Sequence, residues 1–586
     1  MNKNIILKSI LKYMPIYILA LFSLLLLQYS NSLTALFVGE ILGIFEGSEH
    51  VLPSFLIKFI NDNSPKSMIL SVSIIYAAVS VIGTIANFLS RYFRTLHFQY
   101  LTMDLGKKYY SHVLDLPKSE YSKRSTGDII QRNTEDCRRI ANLFNSTLFE
   151  IARIIFTIIT LSIQIFVLSK SIFITSVVAI VICLAFAWYY GYFKYKPREI
   201  QSSKYYSELN STIQQSVTNY SLVKSFANEE YEYDKFKTIN DKKEQNNYHV
   251  NNLHCIYWLL SDTLTTIYLT VCFVILGVSF FNGNMSLAVV GALVGLVSKV
   301  LSNAPRLVNH ITSFVRTFIA AGRVNEYFKL ETEYKEDGTI TKEIIGNIEF
   351  KNVYMKYDTE DILKDISFTL NEGQTLGIVG KSGSGKTSIV NLLTKLDDYY
   401  KGSIRIDGVE LKEYKKKCIR DNIGVVLQDA YIFSKTIKEN LMILLDDDRI
   451  DLDMYLKRVS LDEDINKFES GLETIVGERG VTLSGGQRQR MSLLRTIIKN
   501  KKILILDDTL SAVDNVVSRQ IKNSIKKEKA TTIIISHNLL NVKDADKIIV
   551  LEDGKIADIG THDELIGRPG FYSNIWTIQQ MIEEVK

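Results

Sequence analysis

A chain of 586 residues is too long for one hydrophobic core, so two or more domains are expected. Hydrophobic residues make up 46% of it, a high share for a wholly soluble protein, and they crowd the first half. A net charge of +5 is too small at this length to mark a nucleic-acid binder. The five cysteines (Cys137, Cys183, Cys255, Cys272, Cys418) have no metal-ligand spacing and read as free thiols.

Residues 1–13 set Lys3, Lys8 and Lys12 among Ile and Leu, which predicts a short amphipathic helix lying on the inner membrane face. Six apolar stretches follow, at 14–43, 68–97, 141–168, 171–195, 256–282 and 286–316. Several exceed the roughly 20 residues that cross a bilayer, so the helices are expected to continue beyond it. The first apolar run is too long for a cleavable signal and lacks a small-residue cleavage site. The connections 98–140 and 196–250 are rich in Lys and Arg, whereas 44–67 is more acidic. By the positive-inside tendency both termini and the two long connections are cytosolic, giving a multi-pass protein of the plasma membrane.

Ionisable residues in the spans are pathway candidates by default. Glu40 falls near the outer end of the first span. Lys299 lies roughly 20 Å of helix rise below Met285, where it either faces a pathway or snorkels to the headgroups. Arg306 is deeper and reads as an interfacial anchor, beside a kink at Pro305. Phe186, Trp188, Tyr189, Tyr190 and Tyr192 read as an interfacial aromatic belt.

The composition shifts to Glu, Lys, Thr and Gly across 319–346, a linker between a membrane domain at 1–318 and a second domain at 347–586. There, short β runs alternate with helices, as in an α/β nucleotide-binding domain. Gly380-Lys381-Ser382-Gly383-Ser384-Gly385-Lys386-Thr387 fits the phosphate-binding loop pattern between the apolar run 375–379 and a helical start at Ser388. Its glycines let the backbone curl around phosphate, and the helix N-terminus presents free N–H groups to the anion. Lys386 is placed to reach the β- and γ-phosphates of ATP, and Thr387 to hold Mg²⁺.

Other candidates flank this loop. Tyr357 is either an adenine-stacking aromatic or a core tyrosine. Gln428 follows the apolar run 423–427, where its amide can touch Mg²⁺ and the attacking water. Ser484, Gly485, Gly486 and Gln487 open a helix and make a second anion site. Asp507 and Asp508 end the run 503–506; the first suits a water-bridged Mg²⁺ ligand and the second a base or water-orienting group. His537 ends the run 533–536, able to contact the γ-phosphate.

In this order and spacing the chain resembles ATP-binding cassette transporters of the exporter fold, over nearly its whole length. Leu483–Gln487 is similar to the family signature, Thr474–Gly480 to the exporter motif that touches membrane-domain loops, Ser511–Asp514 to the D-loop, and Gly560–Leu565 to the usual tail. Thr126-Gly127-Asp128 with Asp136, and Leu222–Glu229, resemble the two coupling loops. The resemblance implies a six-helix transmembrane domain followed by an α/β cassette ATPase, working as a dimer of half-transporters in membrane lipid. ATP and Mg²⁺ would bind between Lys386, Thr387, Gln428, Asp507 and His537 of one chain and the signature of the other. Hydrolysis would drive alternating access and expel a hydrophobic or amphipathic small molecule, lipid or peptide. An importer or a nucleotide-gated channel on the same scaffold stays open.

One residue departs from the family pattern. The position after the Mg²⁺ aspartate is normally glutamate, and here it is Asp508, one methylene shorter. A displacement of roughly an ångström costs on the order of 100-fold in rate. With an intact signature this resembles the degenerate-site subunit of heterodimeric bacterial exporters. A slow homodimer and a compensating backbone shift are the alternatives.

Overall fold

The computed structural model describes residues 5–48, 50–60, 64–301, 307–357, 360–443, 450–477, 482–510, 515–527 and 529–584. Pro305, Arg306, Glu478–Gly480 and Ser511–Asp514 lie outside the described residues. The chain forms two compact units: Met1–Leu114 with Arg124–Leu330, and Asp115–Lys123 with Glu331–Lys586.

Among the described residues the regular elements of the first unit are all helices, chief among them α1 (Ile5–Glu46), α2 (Pro65–Leu114), α3 (Thr126–Leu168), α4 (Lys170–Thr218), α5 (Glu229–Phe281), α6 (Leu287–Val300) and α7 (Leu307–Lys329). The first five are long and apolar enough to cross a membrane, and α6 is a shorter apolar helix. At 50 and 53 residues, α2 and α5 far outrun a bilayer of roughly 20 helical residues. Residues 5–13 do not form the separate surface helix expected from their lysines; they are the first turns of α1. The reason is pairing. Lys108 Nζ donates to Ser9 Oγ at 2.8 Å and to Asp104 Oδ2 at 2.7 Å, and Lys12 meets Asp104 at 3.4 Å. The polar turns of α1 thus lie against the polar extension of α2.

Glu40, the pathway candidate near the outer end of α1, is 2% exposed and fully employed. It accepts the backbone N–H groups of Val51 (2.8 Å) and Leu52 (3.1 Å) and bonds the His50 ring. It closes the turn after α1, because those N–H groups are buried and have no ladder to join. Glu46 does the same for α6, accepting from Leu287 N at 2.7 Å. Side-chain bonds also cross between helices: Gln164 to Ser32 (2.7 Å), Thr157 to Gln28 (2.9 Å) and Ser30 to the Val79 carbonyl (2.9 Å). The aromatic group splits. Phe186 and Tyr190 pack on Tyr257, while Trp188, Tyr189 and Tyr192 are exposed.

Among the described residues the second unit holds ten strands: β1 (Ile348–Tyr357), β2 (Glu360–Leu370), β3 (Thr375–Gly380), β4 (Lys401–Ile406), β5 (Val409–Glu410), β6 (Ile423–Val426), β7 (Ile503–Asp507), β8 (Thr531–Ile535), β9 (Lys547–Glu552) and β10 (Lys555–Gly560). An antiparallel sheet runs β2-β1-β4-β5, and a six-stranded sheet runs β10-β9-β3-β8-β7-β6. In the larger sheet every pairing except β10 with β9 is parallel. Both faces of β3, β7 and β8 are buried, which is why they read as unbroken apolar runs. The short helix Lys118–Ser122, at the tip of the connection from α2 to α3, belongs to this unit. Asp115 O accepts from Glu333 N at 2.8 Å, and Glu333 in turn holds Arg420 through two bonds of 2.7 and 2.9 Å.

In the first unit, α1 and α6 meet through small residues. A Cβ on Gly39 would sit 2.5 Å from the Ala288 carbonyl and 2.7 Å from Ala292 Cβ; one on Gly295 would sit 2.8 Å from Ala35 Cβ. Small residues let the backbones close up and gain dispersion, the main attraction between helices in lipid. Gly39→Val should therefore cost about 1–3 kcal/mol, read as a lower melting temperature of the purified protein. Gly277→Ala, with open space at its Cβ, should leave the melting temperature unchanged or slightly raised.

Candidate functional site

The strand order decides which residues meet. β3, β8, β7 and β6 are neighbours, and all four end on the same edge. The loop 380–385 leaves the tip of β3, Asp507 and Asp508 the tip of β7, Ser536 and His537 the tip of β8, and Gln428 lies two residues past β6. Asp508 N donates to Ile535 O at 2.9 Å and Ser536 N to Ile378 O at 3.3 Å, tying the tips together. A crevice beyond the carboxyl ends of parallel strands is where open α/β sheets bind ligands.

The loop enters α8 (Lys386–Leu393), whose N-cap Gly385 has φ +99°. A Cβ there would meet Leu363 Cδ2 at 2.6 Å. Gly383, at φ +82°, has nothing within 4 Å of its Cβ position, so its face of the loop is open. Lys386 is buried, and its ammonium donates to Gly380 O (2.9 Å) and Lys381 O (2.8 Å). Burial lowers its pKa, with Asp507 and Asp508 pulling the other way. Ser384 Oγ is buried without a hydrogen-bond partner. An orphaned hydroxyl, an ammonium resting on carbonyls and an open glycine face fit a polyanion. Lys381 and Ser382 complete the loop, and Ser388 N donates to Gly385 O at 3.1 Å in the first turn of α8.

Thr387 Oγ1 donates to Asp507 Oδ2 at 3.2 Å. Burial pushes the Asp507 carboxyl above the usual carboxylate range, and the Asp508 charge adds to this. Among the described residues no cluster of three or more His, Cys, Asp or Glu is placed to hold a metal alone. A hydroxyl and one carboxylate are the sparse oxygen set that suits Mg²⁺ arriving with phosphates. Asp508 has φ +47°, a left-handed conformation that Asp tolerates better than most residues. Its Oδ1 lies 3.5 Å from His537 N. Gln428 is exposed, and its carbonyl accepts from Gln489 at 3.4 Å.

Tyr357 ends β1 and is 43% exposed, so it is not a core tyrosine. Its hydroxyl donates to Asp397 and accepts from Asn391 at 3.4 Å. Neither partner belongs to a motif; Asn391 could have been found as the residue one turn past Thr387 on α8. Ser484 caps α9 (Gly485–Ile498): its Oγ accepts from Gln487 N (3.2 Å), and Gln487 Oε1 accepts from Ser484 N (2.9 Å). Among the described residues, Gly485 has nothing nearer to its Cβ position than the Arg488 guanidinium at 3.9 Å, so its face of the helix N-terminus is open. In the first unit, Lys299 donates to the Asn31 carbonyl of α1 at 3.0 Å. Asp136 is 1% exposed and takes a two-pronged bond from Arg323 (2.8 and 2.6 Å), while Asp128 accepts from Arg132 and Tyr327.

Residues 17–304 match the ABC transporter transmembrane region, and residues 363–511 the ABC transporter domain. The putative multidrug export ATP-binding/permease protein YgaD of Bacillus subtilis (strain 168) is 29% identical over 564 residues, covering 93% of this chain and 97% of its own. The ATP-dependent lipid A-core flippase of Photobacterium profundum is 29% identical over 486 residues, covering 82% and 83%. A solved bacterial Atm1-family ABC exporter with ATP bound superposes with a TM-score of 0.79 over 98% of this chain and 99% of that one, at 21% identity, a likeness of fold.

The raised Asp507 pKa has a stability consequence. A carboxyl whose folded pKa exceeds its unfolded one holds its proton longer in the folded chain, so stability falls as pH rises through that window and stays lower above it. Asp507→Asn removes the penalty. Without nucleotide the variant should melt higher than wild type near neutral pH, by roughly 2–4 °C for each kcal/mol relieved. The gain should vanish once the pH drops below the usual carboxylate range.

Proposed function

The chain belongs to the ABC transporters, as a membrane-embedded half-transporter of the exporter fold that couples ATP hydrolysis to export and works as a dimer; on that premise we propose that it is the slow-site subunit of a pair of unlike halves. The single observation carrying this reading is Asp508. Its carboxylate is one methylene short of the usual glutamate and lies against the His537 backbone amide at 3.5 Å. A shorter reach toward the attacking water costs on the order of 100-fold when the displacement is roughly an ångström.

The division of labour follows from which atoms are committed. ATP binds with its phosphates against the 380–387 loop. Lys386 leaves the Gly380 and Lys381 carbonyls for the β- and γ-oxygens, and the Ser384 hydroxyl gains a partner. Tyr357, exposed at the end of β1, would stack its ring on adenine. Thr387, Asp507 and Gln428 would hold Mg²⁺, which would neutralise charge on the transferring phosphoryl group. His537 bonds the γ-phosphate. Ser484 and the N-terminus of α9 face the γ-phosphate bound by the other half, as helix N-termini favour anions. ATP therefore joins the two cassettes, and hydrolysis loosens them by leaving two anions in place of one ligand. The cassette is cytosolic and the membrane is the plasma membrane, a reading supported by the Lys and Arg excess in the two long connections. The cargo is a hydrophobic or amphipathic molecule; the named relatives include a multidrug exporter and a lipid flippase.

In such a pair Asp508 and Ser484 of one chain serve different sites, so their replacement should have unequal effects. Ser484→Arg, set against the γ-phosphate of the working site, should nearly stop ATP turnover by the assembled pair. Asp508→Asn, confined to the slow site, should leave most of it. If Asp508→Asn silences the pair as fully as Ser484→Arg, the sites are equivalent and the reading falls.

A further inference from the structure

Asp397 is a carboxylate with no part in the phosphate chemistry, yet three elements converge on it. It accepts the Tyr357 hydroxyl from the end of β1. Lys118 Nζ, from the short helix Lys118–Ser122, approaches it at 3.7 Å. Its own backbone N–H donates to the Asn391 carbonyl at 3.3 Å, fixing it to the C-terminal end of α8. The Asp397 side chain is only 8% exposed, while that of Lys118 is 45% exposed. A half-buried lysine facing a nearly buried carboxylate is an ion pair whose strength depends on how much water reaches it.

Tyr357 is held from both sides. Its oxygen donates to Asp397 and accepts from Asn391, one turn beyond Thr387 on the helix whose N-terminus forms the phosphate loop. Burial first, and the Asp397 carboxylate second, raise the phenol above its ordinary range, so it stays a donor at neutral pH. The ring that would take the base and the loop that would take the phosphates are thereby fixed to the two ends of one short helix. The connection bearing Lys118 is held to the same unit by the bond from Glu333 N to Asp115 O.

We propose that Asp397 is the positioning residue of the adenine platform, and that its ion pair with Lys118, on the short helix Lys118–Ser122 of the same unit, is coupled to base binding. This rests on the reading of Tyr357 as the adenine platform. A base stacked on the ring displaces water beside Asp397 and strengthens its attraction for Lys118. By reciprocity, the Lys118 charge strengthens base binding by the same factor.

The test is equilibrium binding of ATP and of inorganic triphosphate to the full chain in lipid nanodiscs without Mg²⁺, which prevents turnover. Inorganic triphosphate lacks the base, so it reports the phosphate loop alone. Tyr357→Ala should weaken ATP about tenfold or more and leave triphosphate unchanged. Asp397→Asn and Tyr357→Phe should each weaken ATP about three- to tenfold without touching triphosphate, and the double variant should be no worse than either. Lys118→Met should weaken ATP about two- to threefold in the wild-type background and not at all beside Asp397→Asn. The proposal is overturned if Asp397→Asn weakens triphosphate as much as ATP, for then its role is only structural. It is overturned likewise if Asp397→Asn leaves ATP binding intact, or if Lys118→Met costs the same in both backgrounds. If Tyr357→Ala leaves ATP binding unchanged, the adenine reading itself fails, and this proposal with it.

Discussion

Charge buried beyond the ends of two parallel strands, β3 and β7, is the constraint on which the nucleotide site depends. The Lys386 ammonium is taken from water by the loop it belongs to and rests on the carbonyls of Gly380 and Lys381. Asp507, beside it, is held by one hydroxyl and destabilised by burial. Neither group is well satisfied inside the chain. In the reading proposed above, a triphosphate with its metal would add counter-charge beyond what Lys386, Asp507 and Asp508 give one another, so its binding would be driven by relief of existing cost as well as by new contacts. The parallel order β3-β8-β7-β6 makes this possible, since it alone sets the loop, the two carboxylates and His537 on one edge.

The same logic explains why one chain is not enough. Ser484 and Gln487 satisfy each other in a capping box, and among the described residues Gly485 leaves its face of the α9 N-terminus open. A helix end like this needs an anion. In the dimer proposed above, the nucleotide held by the other half would supply one across the interface. In the first unit the organising contacts differ in kind. Apolar attraction cannot hold helices together in lipid, so small residues close α1 onto α6 and side-chain bonds such as Gln164 to Ser32 register the helices. Charge is placed where it has partners, as with Glu40 at the turn after α1 and Asp136 under Arg323.

The motifs were legible because each is local. The phosphate loop, the signature and the carboxylates at the end of β7 are runs of adjacent residues whose spacing carries their geometry. Long apolar helices were legible by length alone. Contacts between distant residues were not. Nothing near residue 40 says that Glu40 will meet the backbone at 51 and 52, and nothing near residue 9 says that Ser9 will accept from Lys108. The continuity of α1 through residues 5–13 was missed for that reason: its lysines look interfacial until α2 supplies the acid. Asp397 was invisible for the same reason, since its partners at 118 and 357 are far away in the chain.

The central claim is that this chain binds ATP firmly and hydrolyses it slowly, because Asp508 lies back from the site. The most direct measurement is the fate of nucleotide held at this chain's own phosphate loop. Radiolabelled ATP is loaded with Mg²⁺ into the assembled transporter, free nucleotide is removed, and the partner half carries a disabled phosphate-loop lysine so that only this chain's site is filled. The account predicts that the label is recovered as ATP over many turnover times of the intact transporter. Recovery as ADP at the turnover rate of the intact transporter would contradict it.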